Sequence, residues 1–185
     1  MIAARLRLLA PLLVALVLAI AFAGACGGGG NGGGGDELSL EDYFAQLETM
    51  ANELEQRGND VESRFNADLE NITSVEEAVA VLGPALVEFE QVAQDFLESL
   101  NGLNPPAEAE ELHNQLTDVY QEGAGALADL GGRLDSIESE QELATLGTDV
   151  ETQFNDLGAR SDDLCFQLQN LADDRSIDVD LSCGD

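Results

Sequence analysis

Few side chains in this sequence have the type and spacing that catalysis requires. His113 is the single histidine, and Glu110-x-x-His113 has the spacing that places two ligands on one helix face in di-iron helical bundles. Such a centre needs two of these motifs, and the sequence has no second histidine. It also lacks the Gly-x-Ser-x-Gly turn of many hydrolases. We therefore expect no enzyme activity and no cofactor, with His113 on the polar side of its helix. Ligand binding by His113 is the alternative.

The acidic residues near the C-terminus are the candidates for a metal site. Asp178-x-Asp180-x-Ser182 resembles the first ligands of an EF-hand loop, but the glycine falls one place late and no bidentate glutamate follows. A complete calcium site is therefore not predicted. Loose binding of a divalent cation remains an alternative, with these candidate ligands: Asp173, Asp174, Asp178 and Asp180.

The arginines of the folded part are the candidates for anion binding. Four of them follow an acidic residue by four positions, which favours ion pairs within one helix: Glu53–Arg57, Asp60–Arg64, Asp129–Arg133 and Asp156–Arg160. This pattern predicts solvated helix faces. The alternative is that Arg57 and Arg160 come close near the middle of the fold and bind an anion.

The first 25 residues have the organisation of an export signal. Arg5 and Arg7 precede an uncharged apolar run, 8–22, whose length suits a signal peptide and is short for a spanning helix. With Ala23-Gly24-Ala25-Cys26, the chain resembles precursors of bacterial lipoproteins, whose lipobox is Leu-(Ala/Ser)-(Gly/Ala)-Cys; alanine stands here where that family prefers leucine. The resemblance implies cleavage before Cys26 and its acylation, palmitate included. An ordinary signal cleaved after Ala25 is the alternative.

Residues 27–35, GGGGNGGGG, form a tether. Such a run behaves as a flexible coil with a root-mean-square span of roughly 15–18 Å. A lipidated cysteine needs a spacer of this kind to hold a domain clear of the headgroups. The tether and the lipobox-like segment thus support one another, and we expect a lipid-anchored, extracytoplasmic protein at the cell membrane or outer envelope.

The remaining cysteines, Cys165 and Cys183, form an even pair if Cys26 carries lipid. Their separation is much wider than the Cys-x-x-Cys spacing of redox motifs. We predict a structural disulfide, which would contribute about 3 kcal/mol in the chain-entropy model and tie the tail, residues 178–185, back to the last helix.

The charge balance excludes several partner classes. The formal net charge is −30, and it becomes −32 without residues 1–25, which carry two arginines and no acid. The sequence has no lysine. Binding to nucleic acid or to anionic lipid through cationic side chains is therefore not expected. A protein partner with a basic surface is favoured.

Four helix-start signals divide the rest of the chain. Ser39 with Asp42, Ser74 with Glu77 and Ser139 with Glu142 are N-cap patterns, and Asn104 precedes Pro105 at a first helical position. Each interval carries one apolar stripe at helical spacing. The stripes are Tyr43, Phe44, Leu47, Ala51, Leu54, Val61, Phe65, Leu69, Ile72; Val79, Leu82, Leu86, Phe89, Ala93, Phe96, Leu100, Leu103; Leu112, Leu116, Val119, Tyr120, Leu127, Leu130, Leu134, Ile137; and Leu143, Leu146, Val150, Phe154, Leu157, Leu164, Leu168, Leu171.

Two irregularities interrupt these patterns. Pro84 lies inside the second, where proline kinks or shortens a helix. The third contains four glycines, each of which costs about 1 kcal/mol relative to alanine: Gly123, Gly125, Gly131 and Gly132. Close packing by a neighbouring helix, or plain tolerance of this cost, would explain them; the alternative is a kinked segment that lines a cleft for an apolar ligand.

These observations predict an all-α, antiparallel up-down-up-down four-helix bundle. The segments are a signal peptide (1–25), a lipidated cysteine and linker (26–37), the bundle (38–177) and an acidic tail (178–185). Leu103-Asn104-Pro105-Pro106, with Glu108 and His113, resembles helix starts of secreted helical proteins of high-GC bacteria, which mostly have no assigned activity. We expect an interaction module at the cell envelope; the alternative is a lipoprotein that binds a ligand or a divalent cation in the bundle interior or at the tail.

Overall fold

The described part of the chain is an all-α fold. The computed structural model describes residues 37–69, 72–181 and 183. They form four helices and no strand: α1 (Leu40–Leu69), α2 (Val75–Gly102), α3 (Glu110–Leu134) and α4 (Glu140–Asp174). The predicted four-helix, all-α fold is confirmed. None of the described helices is long and apolar enough to span a membrane. The predicted signal peptide, Cys26 and the glycine tether lie outside the described residues.

Three helices begin where the N-cap patterns predict. The Ser39 hydroxyl accepts the Asp42 N–H at 3.1 Å. At α2, Ser74 and Glu77 form a reciprocal capping box. At α4, the Ser139 hydroxyl accepts the N–H of Glu142, whose carboxylate reaches back to the Glu138 N–H at 3.0 Å. These bonds satisfy backbone donors in or just before the first helical turn, which have no partner within the helix.

The predicted start of the third helix at Asn104 is wrong. Residues 103–106 have no helical structure, 107–109 form a turn, and α3 begins at Glu110. The reason is steric, because a residue that precedes proline is disfavoured in the helical region. Pro105 and Pro106 follow one another, so both Asn104 and Pro105 are driven towards extended backbone. The Asn104 carbonyl instead accepts the Leu38 N–H at 3.0 Å, which holds the start of the bundle against this loop.

The four apolar stripes meet in one core. Helix α1 packs on α2, α2 on α3 and α3 on α4. Most of the predicted stripe residues are buried, and the remainder are partly buried against the same core. The partly buried ones are Val79, Ala93, Leu103, Leu112, Ile137 and Leu171. Burial of a large apolar side chain contributes roughly 1.5–3 kcal/mol, so these stripes are the main source of stability.

The arginines pair between helices, which corrects the prediction of pairs within each helix. Of the four predicted pairs, Asp156–Arg160 is the only one formed by side chains among the described residues, at 3.8 Å. Arg57 and Arg64 of α1 instead pair with Asp95 and Glu88 of α2. The intrahelical pattern was misleading because the long arginine side chain can reach a neighbouring helix as easily as its own next turn.

Helices α3 and α4 are connected in the same way. Arg160 of α4 lies 2.7 Å from Glu122 of α3, and Arg133 of α3 pairs with Asp149 of α4. In both helix pairs, the ion pair whose residue comes later in the first helix uses a residue that comes earlier in the second helix, as expected for antiparallel neighbours. The steps are seven residues in α1–α2 and eleven in α3–α4. Those steps are close to two and three helical turns, so both contacts fall on one side of each helix.

The two irregularities have different outcomes. Helix α2 continues through Pro84 to Gly102, so the proline does not shorten it. In α3, a Cβ atom at Gly125, Gly131 or Gly132 would meet nothing within 4 Å. Neither close helix packing nor a cleft accounts for these three glycines, since their Cα atoms face open space.

We predict that Gly125→Ala and Gly132→Ala each raise the free energy of unfolding by about 0.5–1 kcal/mol, because alanine restricts the unfolded chain and meets no obstacle here. Thermal or urea unfolding followed by circular dichroism measures the change. Gly123→Ala is the matched control: Gly123 is buried, so its added methyl group enters the packed interior and should bring no such gain. A fall in stability for both exposed variants would contradict the prediction.

Candidate functional site

His113 is a buried residue, which corrects its predicted position on the polar side of the helix. Its side chain is 5 % exposed, whereas Glu110, the other member of the Glu-x-x-His motif, is exposed. The two side chains therefore do not share a face as di-iron ligands would. The Nδ1 atom lies 3.4 Å from the hydroxyl of the fully buried Tyr43, and the two rings meet edge to face.

The surroundings of this pair favour neutral side chains. Burial lowers the pKa of His113 and raises the pKa of Tyr43, because both charged forms lose hydration in the interior. A neutral imidazole can pair with the Tyr43 hydroxyl through Nδ1, and the tautomer of the ring decides which of the two groups donates. The arrangement orients α1 against α3 and leaves His113 without access to a substrate.

Arg57 and Arg160, the predicted anion-binding pair, are each neutralised by a carboxylate. Arg57 lies 2.6 Å from Asp95 in the α1–α2 pair, and Arg160 lies 2.7 Å from Glu122 in the α3–α4 pair. Hydrogen bonds to Glu122 raise the pKa of Arg160. Both guanidinium groups are therefore engaged on different helix pairs, and the anion-binding alternative is not supported.

The tail after α4 reverses direction and returns along the helix. Ser176 has φ 58°, and the Ile177 N–H bonds to the Ala172 carbonyl at 2.9 Å, the geometry of a Schellman turn. Cys165 and Cys183 are joined by a disulfide, with Cα atoms 5.5 Å apart, in agreement with the predicted pairing. Between the turn and the disulfide, the Leu181 side chain is 1 % exposed.

Gln169 on α4 holds the tail through its side-chain amide. Its Nε2 donates to the Val179 carbonyl at 3.0 Å, and its Oε1 accepts the Leu181 N–H at 2.9 Å. The same Nε2 also donates to Asp173 Oδ1, so one of the four candidate metal ligands is part of this arrangement. Gln169 is not among the residues predicted from the sequence, because a glutamine on a helix shows no local pattern that reveals a backbone partner ten residues away.

Asp178 and Asp180 of the tail influence the charge of Glu48 on α1. Burial raises the pKa of Glu48, as do Asp180 and Asp178 of the tail. Within the described residues, no three His, Cys, Asp or Glu side chains are grouped so that they could hold a metal ion. Asp173, Asp174, Asp178 and Asp180 therefore gain no geometric support as ligands, and divalent-cation binding stays a prediction.

The apolar interior near the third helix leaves little room for a ligand. A cavity of about 20 Å³ lies among residues of α2, α3 and α4, which is roughly the space of one water molecule. Its lining includes Leu82, Leu130, Leu143 and Val150. A larger hollow of about 520 Å³ lies beside the α3–α4 connection, where it opens to solvent between Arg133 and Leu146.

Two large apolar side chains are exposed on different helices. Phe166 on α4 is 51 % exposed, and Val87 on α2 is 63 % exposed. Asp162, Asp163 and Asn170 lie three or four residues from Phe166, so acidic and polar side chains share its helix face. Burial raises the pKa of Asp162. Phe166 is the candidate residue for contact with a partner. Its exposure could have been predicted from the sequence, because it does not belong to the apolar stripe of α4.

No protein-family model, curated protein or solved structure matches this chain in the comparisons made with each.

We predict that His113 makes the fold less stable as the pH falls below about 6.5, the ordinary pKa of histidine. Burial lowers the pKa of His113, so the unfolded state takes up the proton first and is favoured by acid. One proton limits the effect to about 1.4 kcal/mol per pH unit. The stability difference between the wild type and His113→Gln should therefore shrink from pH 7 to pH 5 in urea titrations.

Tyr43→Phe is the control for this experiment. It removes the hydroxyl beside Nδ1 but keeps the buried imidazole, so its stability should keep the dependence on pH. An equal dependence on pH in the wild type and in His113→Gln would contradict the assignment.

Proposed function

We propose that this chain is a lipid-anchored, extracytoplasmic interaction module that binds a protein partner with a basic surface at the cell envelope. The observation that carries the proposal is that the arginines of the described residues are engaged in ion pairs with carboxylates. Arg57, Arg64, Arg133 and Arg160 pair across helices, and Arg175 pairs with Glu108 at 3.1 Å. The described residues contain no other arginine and no lysine, so nothing cationic remains to offset the surplus of carboxylates.

The negative electrostatic potential of such a surface favours one class of partner. Carboxylates outnumber cationic side chains by 37 to 7 in the whole sequence. A negative surface attracts basic surfaces, speeds their association and repels acidic ones. Nucleic acid and anionic lipid are disfavoured for the same reason.

Phe166 supplies the apolar contact that a charged surface alone lacks. Aromatic side chains dominate the energies of many protein interfaces, and the acidic residues around Phe166 suit a cationic neighbour on the partner. Val87 is more exposed, but it lines the α1–α2 groove together with Arg57 and Arg64, whose charges balance those of Asp95 and Glu88, so this groove offers less surplus negative charge to a basic partner. The face of α4 around Phe166 is therefore the proposed contact surface.

The anchoring part of the proposal rests on the sequence. An apolar segment with basic residues before it, small residues before Cys26 and a glycine run after it are the features of a lipoprotein precursor. The negative charge of the bundle gives it no electrostatic attraction to anionic lipid, so acylation is the proposed link to the membrane.

We predict that Cys26→Ala moves the protein from the membrane fraction to the soluble extracytoplasmic fraction, because the acylated thiol is the proposed anchor. Fractionation of expressing cells followed by immunoblotting measures the distribution. The double variant Cys165→Ala/Cys183→Ala keeps Cys26 and should remain in the membrane fraction. Inhibition of lipoprotein signal peptidase should make the uncleaved precursor accumulate. Retention of processed Cys26→Ala in the membrane would contradict the anchoring proposal.

The contact surface is tested with a photoreactive amino acid placed at Asn170, one turn from Phe166. We expect a cross-linked product in expressing cells, with a cationic segment of the partner at the cross-link, and its loss in Phe166→Ala. The matched control carries the photoreactive group at Gln91, one turn from Val87, and should give no such product. Equal products from both positions, or an acidic partner segment, would contradict the proposed surface.

A further inference from the structure

The tail is bound through its backbone at residues 179–181. The two backbone groups that Gln169 contacts, the Val179 carbonyl and the Leu181 N–H, flank Asp180. A residue on a neighbouring β-strand contacts its partner strand in this way, and peptide-binding domains use the same backbone bonds. Recognition here uses backbone atoms that any peptide carries, so the tail occupies a seat that another segment could fill.

The side chains of the tail alternate as those of a strand do. Asp178 and Asp180 are exposed, whereas Ile177 and Val179 are partly buried against the core and Leu181 is buried completely. The Leu181 side chain is thus inserted into the core, whereas the Asp178 and Asp180 side chains remain exposed to solvent. The seat, defined here as Gln169 with the apolar surface under Leu181, selects an extended segment with a branched apolar side chain.

The bound tail also experiences repulsion. The pKa of Glu48 on α1 is raised first by burial and then by the nearby charges of Asp180 and Asp178, as expected for like charges that disfavour one another. The contacts that oppose this repulsion are the two Gln169 bonds, the burial of Leu181 and the Cys165–Cys183 disulfide. Of these contacts, the disulfide is the one that a reductant can break without a change in the sequence.

We propose that residues 177–181 form a strap over a peptide-docking seat, and that the Cys165–Cys183 disulfide is the latch that keeps the strap in place. A dithiol reductant of the thioredoxin class opens the latch by exchange. One thiolate attacks a sulfur of the disulfide and forms a mixed disulfide; the second thiol displaces it, leaving Cys165 and Cys183 as thiols and the reductant as a disulfide. The vacated seat then binds an extended segment of a partner. This inference does not depend on lipidation of Cys26.

Hydrogen exchange on the full-length chain tests the latch, with dithiothreitol as the dithiol. After reduction we expect the Leu181 amide, which bonds to Gln169, to exchange at least tenfold faster. The Phe89 amide in the middle of α2 should not change. An unchanged Leu181 amide would overturn the proposal, because the tail would then stay in place without the disulfide. A parallel increase at Phe89 would also overturn it, because the disulfide would then support the whole fold.

Peptide binding tests the seat. The probe is a fluorescent peptide that copies residues 177–183 with serine in place of the cysteine, and anisotropy measures its binding. The full-length variant Cys165→Ser/Leu181→Asp/Cys183→Ser cannot seat its own tail, so we expect saturable binding; the oxidised wild type should show none. Adding Gln169→Ala should weaken binding at least fivefold, and a probe with aspartate in place of leucine should not bind.

Two results would contradict the proposal of a peptide-docking seat. One is the absence of saturable binding to a variant whose helical content and Phe89 protection match the wild type. The other is a general loss of helix in that variant, because the tail would then be an inseparable part of the core.

Discussion

Burial of four apolar stripes under mutually repelling acidic surfaces is the constraint on which this structure depends. The large buried side chains contribute roughly 1.5–3 kcal/mol each, whereas half-exposed ion pairs contribute about 0–1 kcal/mol each. Packing therefore supplies the stability. The arginine pairs have a different role, since they place positive charge on the α1–α2 and α3–α4 seams, where carboxylates of adjacent helices would otherwise repel. Because so few cations are present, their positions set which helix faces can lie together.

The features that could be predicted from sequence are those with a local cause. Ser74 and Glu77 are three residues apart and satisfy each other's backbone donors, so the start of α2 is visible in four residues. Apolar spacing of three and four likewise predicted the buried faces of all four helices. Pro105-Pro106 also acts locally, by the steric effect of each proline on the residue before it, and this effect explains why α3 begins at Glu110 and not after Asn104.

The features that could not be predicted depend on neighbours distant in sequence. His113 lies at helical spacing from Leu116 and Tyr120, so its burial could have been predicted. Its contact with Tyr43 could not, because the two residues are 70 positions apart in the sequence. Each of the arginines at 57, 64, 133 and 160 has an acidic residue four positions earlier, yet the carboxylate that bonds most closely to each lies 16 to 38 residues distant. Gln169 belongs to the same class. The candidate site consists of such contacts, which is why sequence patterns revealed the helices better than the surfaces that could bind a partner.

The attachment of Leu38 to Asn104 has a mechanical consequence. It places the entry of the chain into the bundle beside the α2–α3 loop, and the Arg175–Glu108 pair brings the end of α4 to the same loop. A pulling force applied through the residues before Glu37 thus reaches α1 at one end. Under that load α1 would peel away turn by turn, and the Arg57 and Arg64 pairs would break one after the other instead of sharing the load. Low resistance to such unzipping follows from the position of this attachment, whatever the thermal stability of the core.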